Sequence, residues 1–149
     1  MGQKTHPVGF RLQINKNWKS TWFTENSFAS ELESDVKIRK YLKARLPNAG
    51  ISKVDISRTS KNITITIYTA RPGIVIGKGG EEVNRLKDEV KQLTSDPLKS
   101  GKNTKSVQIN ISEIKRPELD AALVGANIAH QLQKKVSYRR VVSLSLIHI

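Results

Sequence analysis

The sequence predicts an α/β fold: a small three-stranded sheet with helices packed on one face, preceded by a basic arm. Three observations predict it. Ile51–Arg58 and Asn62–Ala70 alternate apolar and polar residues across the short polar turn Ser60-Lys61-Asn62, the mark of a half-buried hairpin. Val83, Leu86, Val90 and Leu93 recur at three and four, a helical stripe, before a third alternating run at Val107–Ile111. The order is helix, strand, strand, glycine loop, helix, strand, helix, which stacks into a two-layer sandwich. A length of 149 residues fits one ordinary domain.

Residues 1–23 read as an irregular basic arm, with Pro7 and Gly9 as breakers and Trp18, Trp22 and Phe23 as anchors. Thr24 is placed to cap the first helix, with Glu25 in its first turn, and Ser34-Asp35 to recap a continuation through Ile38, Tyr41 and Leu42. Pro47-Asn48-Ala49-Gly50 stops it. The helical stripe from Glu82 follows the glycine loop. Ser95–Ser106 reads as a polar loop with Lys99, Lys102 and Lys105, and two readings of it stand: a reach to a polyanionic partner such as RNA, or a lineage insertion. Arg116-Pro117-Glu118 opens a last helix with proline near its first position; Leu119, Leu123, Ala126, Ala129 (or His130), Leu132 and Val136 form its stripe.

Lysine and arginine total 26 against 13 acids, for a net charge of +13. Such a balance points to a polyanion, nucleic acid before an anionic membrane. Without cysteine there are no disulfides or thiolate metal sites. No apolar run approaches the roughly 20 residues that cross a bilayer. The basic residues do not sit opposite a broad apolar face, so a membrane-surface role is disfavoured.

Ile74-Val75-Ile76 leads, strand-like, into Gly77-Lys78-Gly79-Gly80, and a helix leads out. Glycines let the backbone approach a phosphate chain closely, and the helix start adds its positive dipole end. A nucleotide-binding P-loop would need G-x-x-x-x-G-K-[ST]; here the spacing from Gly73 is one residue short, and Gly79 replaces the hydroxyl residue. A plain strand–helix turn is the bland alternative. Strand, loop, helix and charge together favour the G-x-x-G of a KH module, which clamps about four nucleotides of a single strand. Gly77 and Gly80 would allow close approach, Lys78 would meet phosphate, and Ile74, Ile76 and Val83 would line the groove beside the loop.

Nothing comparable supports catalysis. No histidine pairs at metal spacing, and there is no G-x-S-x-G, H-E-x-x-H or cysteine nucleophile. A lyase or nuclease would need a desolvated lysine or a carboxylate–metal cluster that the sequence does not offer. Trp18, Trp22 and Phe23 either stack on bases or pin the arm, with pinning preferred. Lys37–Arg45 reads as a phosphate-contacting helix face rather than a merely solvated one.

Met1-Gly2-Gln3-Lys4-Thr5-His6-Pro7-Val8-Gly9-Phe10-Arg11-Leu12 resembles the start of the bacterial-type ribosomal protein three family of the small subunit. Thr69-Ala70-Arg71-Pro72-Gly73 with Ile74–Gly80 resembles that family's KH loop. Val107–Ile111, Arg116–Ala121 and Val136–Arg140 are similar to it too, so the resemblance covers residues 1 to about 140 in order. It implies a type II KH domain over 24–140 behind the arm 1–23, in a non-enzymatic constituent of the small-subunit head. The implied partners are ribosomal RNA, messenger RNA where it enters the subunit, and neighbouring head proteins. No cofactor, metal, membrane or small-molecule substrate is implied. The implied location is the cytoplasmic ribosome, with an organellar ribosome left open. The residues expected at RNA are Lys4, His6, Arg11, Arg71, Gly77, Lys78, Gly79, Gly80, Lys134, Lys135, Arg139 and Arg140. A further family basic position falls at Ser143, which cannot supply the charge. The alternative is a free-standing KH regulator, which has no need of residues 1–12.

The family continues into a second α/β domain, whereas here an uncharged, β-like tail, 141–149, follows Arg140. Leu144-Ser145-Leu146-Ile147-His148-Ile149 is also what an in-frame read through a common transposase sequencing adapter would encode. The expectation is that Leu144–Ile149, or the tail from Val141, is not native and that a long-read genomic sequence would lack it; the alternative is a true short variant whose tail adds a strand or meets a partner.

Overall fold

A computed structural model describes residues 2–94 and 106–148. The segment 95–105 lies outside the described residues, and with it both readings of Lys99, Lys102 and Lys105. So does Ile149.

The arm is more regular than its composition implies. Pro7 starts a one-turn helix, α1 (Pro7–Phe10), because its preset φ suits a first helical position and His6 Nδ1 accepts the Val8 amide at 3.2 Å. Ser20–Thr21 forms a short strand, β1. Helix α2 (Phe28–Arg45) then runs unbroken. Its start is fixed by Thr24 Oγ1, which accepts the Ser27 amide at 3.0 Å; Thr24 itself and Glu25 lie before the helix. The expected recap at Ser34-Asp35 does not occur. Asp35 is fully buried in mid-helix, and its carboxylate is claimed by other elements. After the turn 47–49, Gly50 takes a left-handed φ of 64° into β2 (Ile51–Arg58).

Strands β2 and β3 (Asn62–Thr69) form the expected antiparallel hairpin, closed by the Thr59 amide donating to Asn62 O at 2.8 Å. Helices α3 (Pro72–Ile76) and α4 (Glu81–Thr94) cross to β4 (Ser106–Glu113), which runs parallel to β3. Strand β1 adds to the far edge, parallel to β2, so the sheet order is β1-β2-β3-β4. The fourth strand escapes the sequence pattern because two residues carry no periodicity.

The apolar sheet face (Val54, Ile56, Ile63, Ile65, Ile67 and Val107) meets Ile38 and Leu42 of α2, Val75 of α3, and Leu86 and Val90 of α4. Each such buried side chain contributes about 1.5–3 kcal/mol. The opposite face carries Lys53, Thr64, Thr66 and Gln108, with Lys53 Nζ 4.0 Å over the Tyr68 ring.

The last helix is two. Pro117–Leu119 is a separate turn, then come α5 (Ala121–Gln133) and α6 (Tyr138–His148), divided where Lys135 adopts φ 61°. Of the expected stripe only Leu123 is buried. The tail, β-like by composition, is helical: α6 packs on α5 and buries Val141 fully, and that packing overrides strand propensity.

A bulge at Ser52 turns its hydroxyl to donate to Asp120 Oδ2 at 2.6 Å, while Asp120 Oδ1 accepts the Ala122 and Leu123 amides as the cap of α5. Burial pushes the Asp120 carboxyl up, but the bonds from Ser52, Leu123 and Ala122, with Lys16 nearby, outweigh it and hold it below the usual carboxylate range. A depressed pKa contributes stability above the unfolded value that is lost as pH falls through the folded one. Asp120→Ala is therefore expected to cost about 1 kcal/mol at neutral pH. The difference should shrink below about pH 4. Urea titrations of both proteins at pH 7 and pH 3 check this; a difference that grows in acid would sink it.

Candidate nucleic-acid interface

The run expected as a strand before the glycine loop is helix α3. Thr69 and Arg71 set it up: Thr69 Oγ1 donates to Ala49 O at 2.6 Å and accepts the Arg71 amide at 3.1 Å, ending the strand. Pro72 then begins the helical turn. Val75 is buried, while Ile74 and Ile76 stay about two-fifths exposed, at 43% and 42%, beside the loop. They are therefore available as groove walls, together with the half-buried Val83.

The loop stands between two helices that meet each other and β4. Gly77, Gly79 and Gly80 all have positive φ, at 70°, 63° and 81°. Gly77 combines its φ with ψ −177°, a conformation essentially reserved for glycine. A Cβ on Gly79 or Gly80 would meet nothing within 4 Å, so open space lies over that part of the backbone. Lys78 and Gly79 are exposed. An exposed, glycine-shaped turn with an exposed lysine at a helix start can take a phosphate without a side chain in the way. Glu81 and Glu82 occupy the first turn of α4 and offset part of its dipole, so any attraction for a phosphate would fall to Lys78 and the backbone.

The expected RNA residues fall into separate groups. Arg71 precedes α3, one helical turn from the loop. Lys134, Lys135, Arg139 and Arg140 surround the α5–α6 elbow, all exposed, with the Arg139 guanidinium 5.8 Å from the Tyr138 ring centre. The arginine pair thus opens a further helix instead of trailing the last one. Lys4, His6 and Arg11 are exposed in the arm, which joins the sheet at β1, while α3 and α4 meet β4 at the other edge. The Arg11 side chain donates to Pro7 O at 2.9 Å.

The aromatics divide. Trp22 pins the arm: its Nε1 donates to Asp35 Oδ2 at 2.8 Å and its ring tilts against Phe28 at 5.4 Å. Trp18 and Phe23 do not, at 61% and 86% exposure. Trp18, Trp22, Phe28 and Leu32 line a groove of about 780 Å³ between arm and α2. Arg39 lies within it but already donates to Lys19 O at 2.9 Å and Ser20 Oγ at 2.5 Å. Sequence spacing could not reveal that bond, because the partners are about twenty residues away. Among the described residues, no group of three His, Asp or Glu side chains could hold a metal ion.

With this geometry in place, residues 37–119 match the KH domain family. The chain belongs to that family. Its KH domain thus includes the second half of α2, the sheet from β2 to β4, the glycine loop and α4. Over 146 residues, 98% of the chain, it is 52% identical to small ribosomal subunit protein uS3 of Cytophaga hutchinsonii, covering 54% of that protein. It is 53% identical to the uS3 of Flavobacterium johnsoniae, again over 54% of that protein, and 48% identical to that of Salinibacter ruber, over 58%. The chain therefore spans about half the length of the relatives it matches, and that span includes the KH domain.

Proposed function

We propose that this chain is the KH-bearing part of a non-enzymatic constituent of the small ribosomal subunit. It binds ribosomal RNA in the subunit head and lines the region where messenger RNA enters, beside neighbouring head proteins. The observation that carries the reading is the Gly77–Gly80 loop, with three glycines at positive φ and Lys78 and Gly79 exposed, in a chain about half identical to uS3 proteins over 98% of its length. Residues 1–23 act as a basic arm and 24–140 as the RNA-binding domain. Lys4, His6 and Arg11 grip RNA from the arm, Arg71 and Gly77–Gly80 from the loop, and Lys134, Lys135, Arg139 and Arg140 from the elbow. Its place is the cytoplasmic ribosome.

The test is binding of the 149-residue chain to small-subunit ribosomal RNA in the presence of excess unrelated RNA, with and without residues 1–12. The expected result is competitor-resistant binding that weakens when the arm is removed. Equal, weak binding to any RNA would overturn the reading. Binding untouched by the deletion would favour a free-standing RNA regulator.

A further inference from the structure

The glycine loop is held from below by a side chain that no motif identifies. A Cβ built on Gly77 would lie 2.6 Å from Glu82 Cγ and 2.8 Å from Glu82 Cβ. The stem of Glu82 therefore lies directly against the Gly77 backbone, in the space a side chain would otherwise take. The Glu82 carboxylate points away from that contact toward two arginines: Oε2 is 3.6 Å from Arg45 Nη2 at the end of α2, and Oε1 is 3.6 Å from Arg85 Nη1 one turn along α4. Arg45 Nε also lies 3.9 Å from Glu89 Oε2, which accepts the Tyr41 hydroxyl. A linked set of polar side chains thus runs from α2 through α4 to the loop.

We propose that Glu82 is a positioning residue for the RNA-binding loop: its stem seats the Gly77 turn and its carboxylate fixes that stem to Arg45 of α2. The inference rests on the reading of Gly77–Gly80 as the phosphate clamp. Ion pairs this exposed contribute little on their own. The seating acts through packing: the stem backs the Gly77 turn on one side, and Lys78 and Gly79 are presented outward. The proposal has a sign that simple charge does not. Removing a carboxylate beside an RNA site should tighten binding, whereas removing the seat should loosen it.

The experiment compares Glu82→Ala, Glu82→Gln and Glu81→Ala in the full chain. Glu81 is the exposed neighbour in the same first turn and serves as the charge control. Two quantities are read: affinity for a fluorescent single-stranded RNA of about twelve nucleotides, long enough to exceed the four held by a KH clamp, and hydrogen exchange at Gly77 and Glu81. Their amides are bonded within the loop region, Gly77 to Gly73 O at 3.0 Å and Glu81 to Lys78 O. Glu82→Ala is expected to bind RNA roughly fivefold or more weakly than Glu81→Ala. It should also exchange faster at both amides while its melting midpoint stays close to that of Glu81→Ala. Glu82→Gln, which keeps the stem, should fall between the two.

Binding by Glu82→Ala as tight as that of Glu81→Ala, with unchanged exchange, would overturn the proposal. If Glu82→Ala does not fold, Glu82→Ser carries the same comparison. Failure of the underlying reading looks different: RNA affinity would then ignore Lys78→Asp with Gly79→Asp as well. In that case exchange alone decides, faster exchange in Glu82→Ala upholding the seat and unchanged exchange overturning it.

Discussion

Arg58→Ala is expected to destabilise the fold by about 3–5 kcal/mol, because it strands a buried carboxylate. Asp35 is fully buried in the middle of α2. Its Oδ1 accepts Arg58 Nε at 2.8 Å and Nη2 at 2.5 Å, and its Oδ2 accepts Ser20 Oγ and Trp22 Nε1, each at 2.8 Å. The Arg58 side chain is 5% exposed and also meets Glu31. Without the guanidinium, Asp35 keeps two neutral donors and loses its counter-charge in a site that water does not reach. The loss should show as a lower urea midpoint, followed by tryptophan fluorescence, with the arm loosening in the same transition because Ser20 and Trp22 share the carboxylate. A change below about 1 kcal/mol would mean that the pair behaves as a solvated surface bridge, and the account would be wrong. Asp35→Leu combined with Arg58→Met should recover part of the loss, since an apolar pair of similar volume removes the unpaired charge.

The second large effect is on binding. Lys78→Asp with Gly79→Asp changes the loop by three units of charge. Each unit is worth about 1 kcal/mol against a phosphate at contact in water, so affinity for single-stranded RNA should fall roughly a hundredfold. The fold should survive. A Cβ at Gly79 meets nothing within 4 Å, and aspartate tolerates the left-handed φ of 63° at a cost of about 1 kcal/mol. Losing one phosphate contact should also make the salt dependence shallower by about 0.7 in the log–log slope. Fluorescence anisotropy across a salt series, with circular dichroism as the folding control, measures both. Affinity and slope within twofold of the unsubstituted chain would move the RNA contact to the arm and the α5–α6 elbow.

Much of this was legible in the chain itself. Strict alternation in 51–58 and 62–69 made the hairpin readable, since one face is buried and the other is not. Leu86 and Val90, four apart, made the inward face of α4 readable for the same reason. Where periodicity was absent or misleading, the reading failed. Ile74-Val75-Ile76 has strand-forming side chains, yet Pro72 and the burial of Val75 make it a helical turn. Val141 has strand propensity too, but it packs as part of a helix against α5.

The sequence by itself determined the α/β class, the β2–β3 hairpin, and the glycine loop with its charge, because local periodicity and composition report directly on burial and on preferred φ. Only the tertiary structure decided how those parts are held. Asp35 meets Arg58 across 23 residues, β1 joins β2 across more than thirty, and Glu82 seats on Gly77 through a steric fit that no spacing encodes. Such contacts depend on where the backbone brings distant side chains together, and burial then makes them strong.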